Sequence, residues 1–319
     1  MSGAVREAGA REFGTRQMRT RIEPASPGWF RWTRTRLAGR LGPPVPGGFP
    51  APGAAAHVLV GTRSGQTTSY LCRGDLSLAH LVWPPGRSAV PPQAAAAALR
   101  AVGHALAGIA HHAPLREDGP TGPPSALLRL NSWLATGDGA GEAVRLYDLC
   151  RSLLGRRRLH DLRQWTDELT GPAAGSVLLH GEPSLGLVVL PREGAAAPVL
   201  LTGESLARGP AEFDPGWILG ELAEMADIAR RHDAAGGTVE LFGAMAAALL
   251  AARGPLDTAR LGRVATLRRL AHLVDFASYV RWTPGMEPSL EQLVHLVDEA
   301  GNPALDFAPP ASAPLPHRG

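Results

Sequence analysis

Residues 113–124, APLREDGPTGPP, contain four prolines, two glycines and three charged side chains. No regular helix or strand passes through such a run, because proline lacks the N–H that both ladders need. The segment divides the chain into two unlike parts. Ahead of it the apolar runs are short. Residues 57–62 (HVLVGT) and 67–73 (TTSYLCR) read as strands joined by Arg63-Ser64-Gly65-Gln66, a hairpin with Gly supplying the turn. Residues 78–83 add a further strand, stopped by Pro84-Pro85. Pro91 then opens an Ala-rich helix to about residue 112. Behind the divide, 125–136, 141–154 and 159–169 carry apolar residues spaced by three and four, as helices do. The runs 176–179, 185–190 and 198–201 are short, interrupted by Gly and Pro, and read as strands. Helical spacing resumes over 215–232, 238–252, 256–280 and 288–299. The expected organisation is a flexible arm over 1–25, where charges show no periodicity, and an N-terminal lobe over 26–112. A linker follows over 113–124, then a helical C-terminal lobe over 125–301 and a disordered Pro/Ala-rich tail over 302–319.

The chain has 319 residues, enough for one large domain or two modest ones, and 45% hydrophobic with 19% charged residues is a globular balance. All 32 basic residues are Arg, so any mechanism that needs a lysine ammonium is excluded. With 38 Gly and 29 Pro, this composition points to GC-rich bacterial coding. Basic residues cluster at Arg16, Arg19, Arg21, Arg31, Arg34, Arg36 and Arg40 and again at Arg156-Arg157-Arg158. Such clusters can hold phosphate or an acidic peptide, but solvated faces and a loose arm are the more ordinary account of them. Aromatic residues make up 5% and no nucleic-acid motif is present, so nucleic acid is not expected as a partner. The two cysteines, Cys72 and Cys150, are too few for a disulfide framework and lack zinc spacing. The N-terminus has no apolar signal core, and the longest apolar helical run, 239–252, is too short for a bilayer. A cytoplasmic protein with no membrane contact is the expectation.

The chemistry-bearing stretch is His180-Gly181-Glu182, then four residues, Leu187, and the apolar Val188-Val189-Leu190. A second apolar run ends in Leu201-Thr202, with Gly203-Glu204 after it. Asp214 follows Thr202 by twelve residues, within Glu212-Phe213-Asp214-Pro215-Gly216-Trp217. This frame resembles the aminoglycoside phosphotransferase family, whose loop reads His-Gly-Asp, four residues, Asn, and whose next strand ends in Ile-Asp. The resemblance covers about 45 residues, 176–222. It implies an α+β, bilobal protein-kinase-like fold, with ATP and Mg²⁺ between a small β-containing N-lobe and a larger, mainly helical C-lobe.

On that resemblance Glu182 stands where the acceptor-orienting Asp belongs, one methylene longer. Leu187 stands for a metal-binding Asn and ligates nothing, and Thr202 stands for a metal-binding Asp. Glu204, two residues on and facing the same side of an extended strand, is the candidate substitute metal ligand. An exposed strand-end carboxylate is the other reading of it. Arg73 is the candidate for the absent phosphate-gripping Lys, though its fork has a different geometry. His180 is placed in the catalytic loop, bracing it. Ser184 would face a phosphate or cap an amide, and Gly186 would lie against the cofactor or meet a turn requirement. Asp214 is structural, an N-cap whose carboxylate also holds the loop backbone.

The phrases HGEPSLG and LLTGESLARGPAEFDPGWILGEL also resemble a divergent phosphotransferase group of thioamitide and class V lanthipeptide pathways. That resemblance implies ATP-dependent phosphorylation of Ser or Thr in a precursor peptide, with a lyase- or cyclase-like partner eliminating the phosphate. A pseudokinase that binds the leader peptide or scaffolds the partner is the alternative. Small-molecule antibiotic phosphorylation is weaker, since it depends on the residues missing here.

Overall fold

The computed structural model describes residues 9–39, 41–42, 45, 49, 57–83, 89–111, 122–171, 175–192, 197–232 and 237–307. Most of the linker over 113–124 and of the tail over 302–319 therefore lies outside the described residues.

The N-terminal part builds one antiparallel sheet. Its strands are β1 (Arg11–Gly14), β2 (Met18–Ser26), β3 (Trp29–Arg36), β5 (Thr62–Ser64) and β6 (Thr67–Cys72), in the order β1-β2-β3-β6-β5. A hairpin is present but is built differently from the expected one. Arg63 and Ser64 belong to β5, which pairs Ser64 with Thr67 across a shorter turn, and most of the strand expected over 57–62 joins another sheet. The expected arm over 1–25 is corrected, because residues 11–25 are mostly strand. Along β2 only Thr20 and Ile22 face inward and are buried, while Arg19 and Arg21 face solvent. The alternation is real but carried by so few apolar side chains that charge conceals it. On β3 the inward positions are Phe30, Trp32, Arg34 and Arg36. Trp32 is fully buried and donates its indole N–H to the Gly74 carbonyl at 2.8 Å.

A second sheet stitches the two parts together. β4 (Val58–Val60) runs parallel to β10 (Val199–Thr202), which pairs with β9 (Val188–Leu190), which pairs with β7 (Leu76–Ser77). The strand expected over 78–83 is instead a short helix, α1 (Leu78–Val82). Its two fully buried residues, Leu78 and Val82, are four apart, which is a helical interval and not a strand's. A third, two-stranded sheet pairs β8 (Val177–Leu179) with β11 (Ala207–Gly209), a strand the apolar pattern does not reveal.

The helices are α2 (Pro92–Ala110), α3 (Ser125–Thr136), α4 (Ala143–Thr170), α5 (Phe213–His232), α6 (Gly237–Arg253), α7 (Thr258–Tyr279) and α8 (Glu287–Asp298). The helices expected over 141–154 and 159–169 run into one another as α4, with a break at Gly155 (φ 71°, ψ 172°). That combination is open almost only to glycine, so Gly155→Ala is expected to cost about 1–3 kcal/mol. Urea denaturation checks it, and an unchanged midpoint would mean that the break relaxes freely. The tail expected from residue 302 begins with an ordered 3₁₀ turn, Asn302–Leu305, whose Ala304 is fully buried. One apolar core runs through both parts, from Trp32 and Tyr70 past Leu99 and Leu106 to Phe213 and Phe242. The architecture is α+β with two lobes, as expected. Among the described residues no helix is long and apolar enough to cross a membrane.

Candidate active cleft between the lobes

β8 ends at Leu179 and delivers His180-Gly181-Glu182 to the seam between the lobes. The first turn of α5 grips this loop. The Asp214 carboxylate accepts the backbone N–H of His180 at 2.7 Å and that of Gly181 at 3.0 Å. Burial pushes the Asp214 carboxyl up, opposed by His180 and by the two N–H groups. Gly181 sits at φ +91°, and a Cβ there would collide with the Ser205 carbonyl oxygen. Two turns on along α5, Glu221 accepts the N–H of Leu185 at 3.0 Å, and so holds the far end of the same loop. Burial pushes the Glu221 carboxyl up as well. His180 is buried and its Nε2 meets the Leu201 carbonyl at 2.9 Å, which fixes Nε2 as the protonated nitrogen. It ties the loop to β10, a bracing role.

The loop hands Glu182 to a cavity of about 180 Å³. Its Oε1 accepts from Ser125 Oγ at 2.8 Å and Arg129 Nη1 at 3.2 Å, and its Oε2 from Ser205 Oγ at 3.1 Å. Arg36 Nη2 stands 3.7 Å from the same Oε2. Burial alone would push the carboxyl up. Arg129 first, then Arg36 and the Ser125 hydrogen bond, overcome that and hold it at about 2. Glu182 is therefore an anchored carboxylate and a very weak base. Across the cavity Asp275 lies 3.4 Å from Arg129 Nη2, with burial pushing its carboxyl up against that guanidinium.

Glu204 is buried and not an exposed strand end. Its Oε1 accepts from Arg34 Nε at 2.6 Å and from the Tyr70 hydroxyl at 2.8 Å. Burial works against the Arg34 charge, but Glu204 more than restores it. Burial and Glu204 together push the Tyr70 phenol up, so it stays a donor.

Mg²⁺ demands free oxygen ligands in near-octahedral geometry at about 2.0–2.1 Å. The cleft gathers few of them. Glu204 has its Oε1 bound by a guanidinium and a phenol, and Glu182 has both oxygens bound, by two hydroxyls and a guanidinium. Thr202 turns its hydroxyl onto the Leu200 carbonyl at 3.0 Å. Leu187 lines the cleft with hydrocarbon. Among the described residues no group of three or more His, Cys, Asp or Glu is placed to hold a metal. Glu204, the expected metal ligand, has one of its oxygens in a buried ion pair with Arg34.

The structure brings His180, Glu182, Ser184 and Glu204 to this one cavity. It does not bring Arg73, whose guanidinium stacks over the Trp29 ring at 4.9 Å. Nor does it bring Gly186, whose backbone is not left-handed and where a Cβ would make only an ordinary 3.5 Å contact with Ser184 Oγ. The cleft's cations are instead Arg34 and Arg36 from β3, Arg129 from α3 and Arg268 from α7. The signal for the first two lay in WFRWTRTR, where the inward stripe of Phe30 and Trp32 continues into Arg34 and Arg36.

No protein-family profile and no curated protein matches the chain. Solved structures similar to it include a glucosamine kinase in complex with glucosamine, ADP and inorganic phosphate (14% identity, TM-score 0.45, 94% of this chain and 77% of that one). Another is spectinomycin phosphotransferase in complex with ADP and spectinomycin (10% identity, TM-score 0.44, 91% and 92%). A third is the macrolide 2'-phosphotransferase MphH from Brachybacterium faecium (16% identity, TM-score 0.42, 96% and 92%).

Proposed function

We propose that the chain is an atypical phosphotransferase that phosphorylates Ser or Thr of a ribosomal precursor peptide with ATP. It would be the kinase half of a split dehydratase of the lanthipeptide or thioamitide type, with a lyase- or cyclase-like partner removing the phosphate. The observation that carries the reading is Glu182, a fixed and ionised carboxylate at the floor of an inter-lobe cleft, beside Arg36 and Arg129. Phosphoryl transfer is chiefly positioning and charge stabilisation. The peptide hydroxyl would donate to Glu182, its oxygen would bond to the γ-phosphorus, and the bond from that phosphorus to ADP would break. Glu182 orients the hydroxyl. With its carboxyl held at about 2 it does not retain the proton, which passes to solvent or to the phosphoryl oxygens. The guanidinium groups face the developing charge.

A second reading, a pseudokinase that binds leader peptide or scaffolds the partner, is favoured by Leu187, Thr202 and the Glu204–Arg34 pair, beside which no group of three or more His, Cys, Asp or Glu among the described residues is placed to hold a metal. Incubating the protein with ATP, MgCl₂ and candidate precursor peptides, with and without the lyase-like partner, separates the two. The transferase reading expects phosphorylated peptide by mass spectrometry, and dehydrated peptide once the partner is added. ATP left intact, with peptide co-purifying, rejects transfer and establishes the scaffold.

A further inference from the structure

The cleft carries hydrogen-bond donors that nothing in the protein uses. Arg36, Arg129 and Arg268 each have a buried Nε with no partner among the described residues; Arg253, Arg263 and Arg269 share this away from the cleft, but only the first three meet at one cavity. Buried donors in folded proteins nearly always have an acceptor, so an orphan calls for one. Arg36 is the sharpest case. Its side chain is 5% exposed, yet its nearest carboxylate oxygen, on Glu182, is 3.7 Å away, beyond a hydrogen bond. The three arginines come from different elements, β3 in one lobe and α3 and α7 in the other, and converge on one cavity. Arg268 is further oriented by stacking its guanidinium over Trp217 at 5.5 Å. Each carboxylate of the same cavity has an oxygen turned onto a guanidinium: Glu204 on Arg34, Glu182 on Arg129, Asp275 on Arg129. Four guanidinium groups against three carboxylates leave the cleft positive.

We infer that this cleft binds a phosphate-class oxyanion directly on Arg36, Arg129 and Arg268, with no divalent cation. The guanidinium fork is permanently charged and matches two oxyanion oxygens at once, whereas among the described residues no group of three or more His, Cys, Asp or Glu is placed to hold Mg²⁺. The identity of the anion as the phosphate end of ATP rests on the function proposed above, but the metal-free mode of binding rests on the cleft alone.

Calorimetric titration of the full chain with inorganic pyrophosphate, and separately with ATP, tests this in excess EDTA and in MgCl₂. Binding is expected to persist in EDTA and to weaken with rising salt. Arg36→Gln should reduce affinity about tenfold or more, as loss of a charge-assisted contact does. Arg36 is buried, so Arg268→Gln, at a half-buried position, serves as the second variant, with the melting temperature recorded for both. Binding only in the presence of Mg²⁺, no binding in either condition, or unchanged affinity in both folded variants overturns the inference. Phosphopeptide formed with strictly Mg²⁺-dependent binding would keep the transferase and discard the metal-free site. Pyrophosphate bound in EDTA without any turnover would do the reverse.

Discussion

Asp214→Ala is expected to destabilise the protein by about 4 kcal/mol, since it orphans two buried N–H groups at roughly 2 kcal/mol each. Asp214 is 2% exposed, and both donors, on His180 and Gly181, are themselves in buried residues of the loop. Asp214→Asn keeps one acceptor oxygen and turns an amide toward the other N–H, so about half the loss is expected. Urea denaturation of the three proteins measures this. A change under about 1 kcal/mol for Asp214→Ala would show that the loop holds itself, through the Glu221–Leu185 bond and the His180–Leu201 bond.

Glu182 is expected to govern both acid stability and turnover. Its carboxyl is held at about 2 against an ordinary 4.5. A depressed carboxyl contributes stability that is complete above the unfolded value and lost as pH falls toward the folded one. The window here runs from about 4.5 down to about 2. The contribution at neutral pH is on the order of 3 kcal/mol. Glu182→Gln preserves the shape and removes the charge, so its stability should fall less steeply across that window than the parent's. In the transferase reading the same substitution leaves the acceptor hydroxyl without its anchor, and turnover should drop about 100-fold, the scale of a misplaced catalytic group. Pyrophosphate affinity should not fall, because the donors are untouched. Parallel acid profiles for parent and variant would mean that Arg129 and Arg36 do not hold the carboxylate as the distances imply, and unchanged turnover would remove Glu182 from the reaction.

The loop was legible through the family resemblance. His180, Gly181 and Asp214 keep that frame's spacing, and the structure joins them as a carboxylate holding two consecutive amides. Glu221 was visible only as a helix residue. Its role follows from lying seven residues after Asp214 on one face of α5, a relation that means nothing until the loop is docked there. The cleft arginines were hidden for a different reason. Arg34 and Arg36 stand in a basic N-terminal stretch whose composition reads as solvated, and only the sheet shows that they point inward. The burial of Glu204 and its pairing were not legible, because its partners, Arg34 and Tyr70, lie more than 130 residues away in sequence. Spacing within a motif cannot reveal that a distant guanidinium has claimed a carboxylate. Residues 78–83 were read as strand because a run this short carries no distinguishing period, and burial of Leu78 and Val82 decides it.

The parallel pairing of Val58–Val60 with Val199–Thr202 bears on how the chain is made. A ribosome releases Val58 long before Leu200, its partner in the register, and a closing loop of that length offers no return until it shuts. The first lobe therefore cannot finish folding as it emerges. Its β4 edge must wait, unpaired, while the linker, α3 and α4 are synthesised, and during that wait it is open to pairing with other chains. A fragment ending at residue 124 should accordingly aggregate when expressed alone and recover when the remainder is supplied in trans. The two lobes are one unit of synthesis, joined by the pairings of β4 with β10 and β7 with β9 and by a shared apolar core.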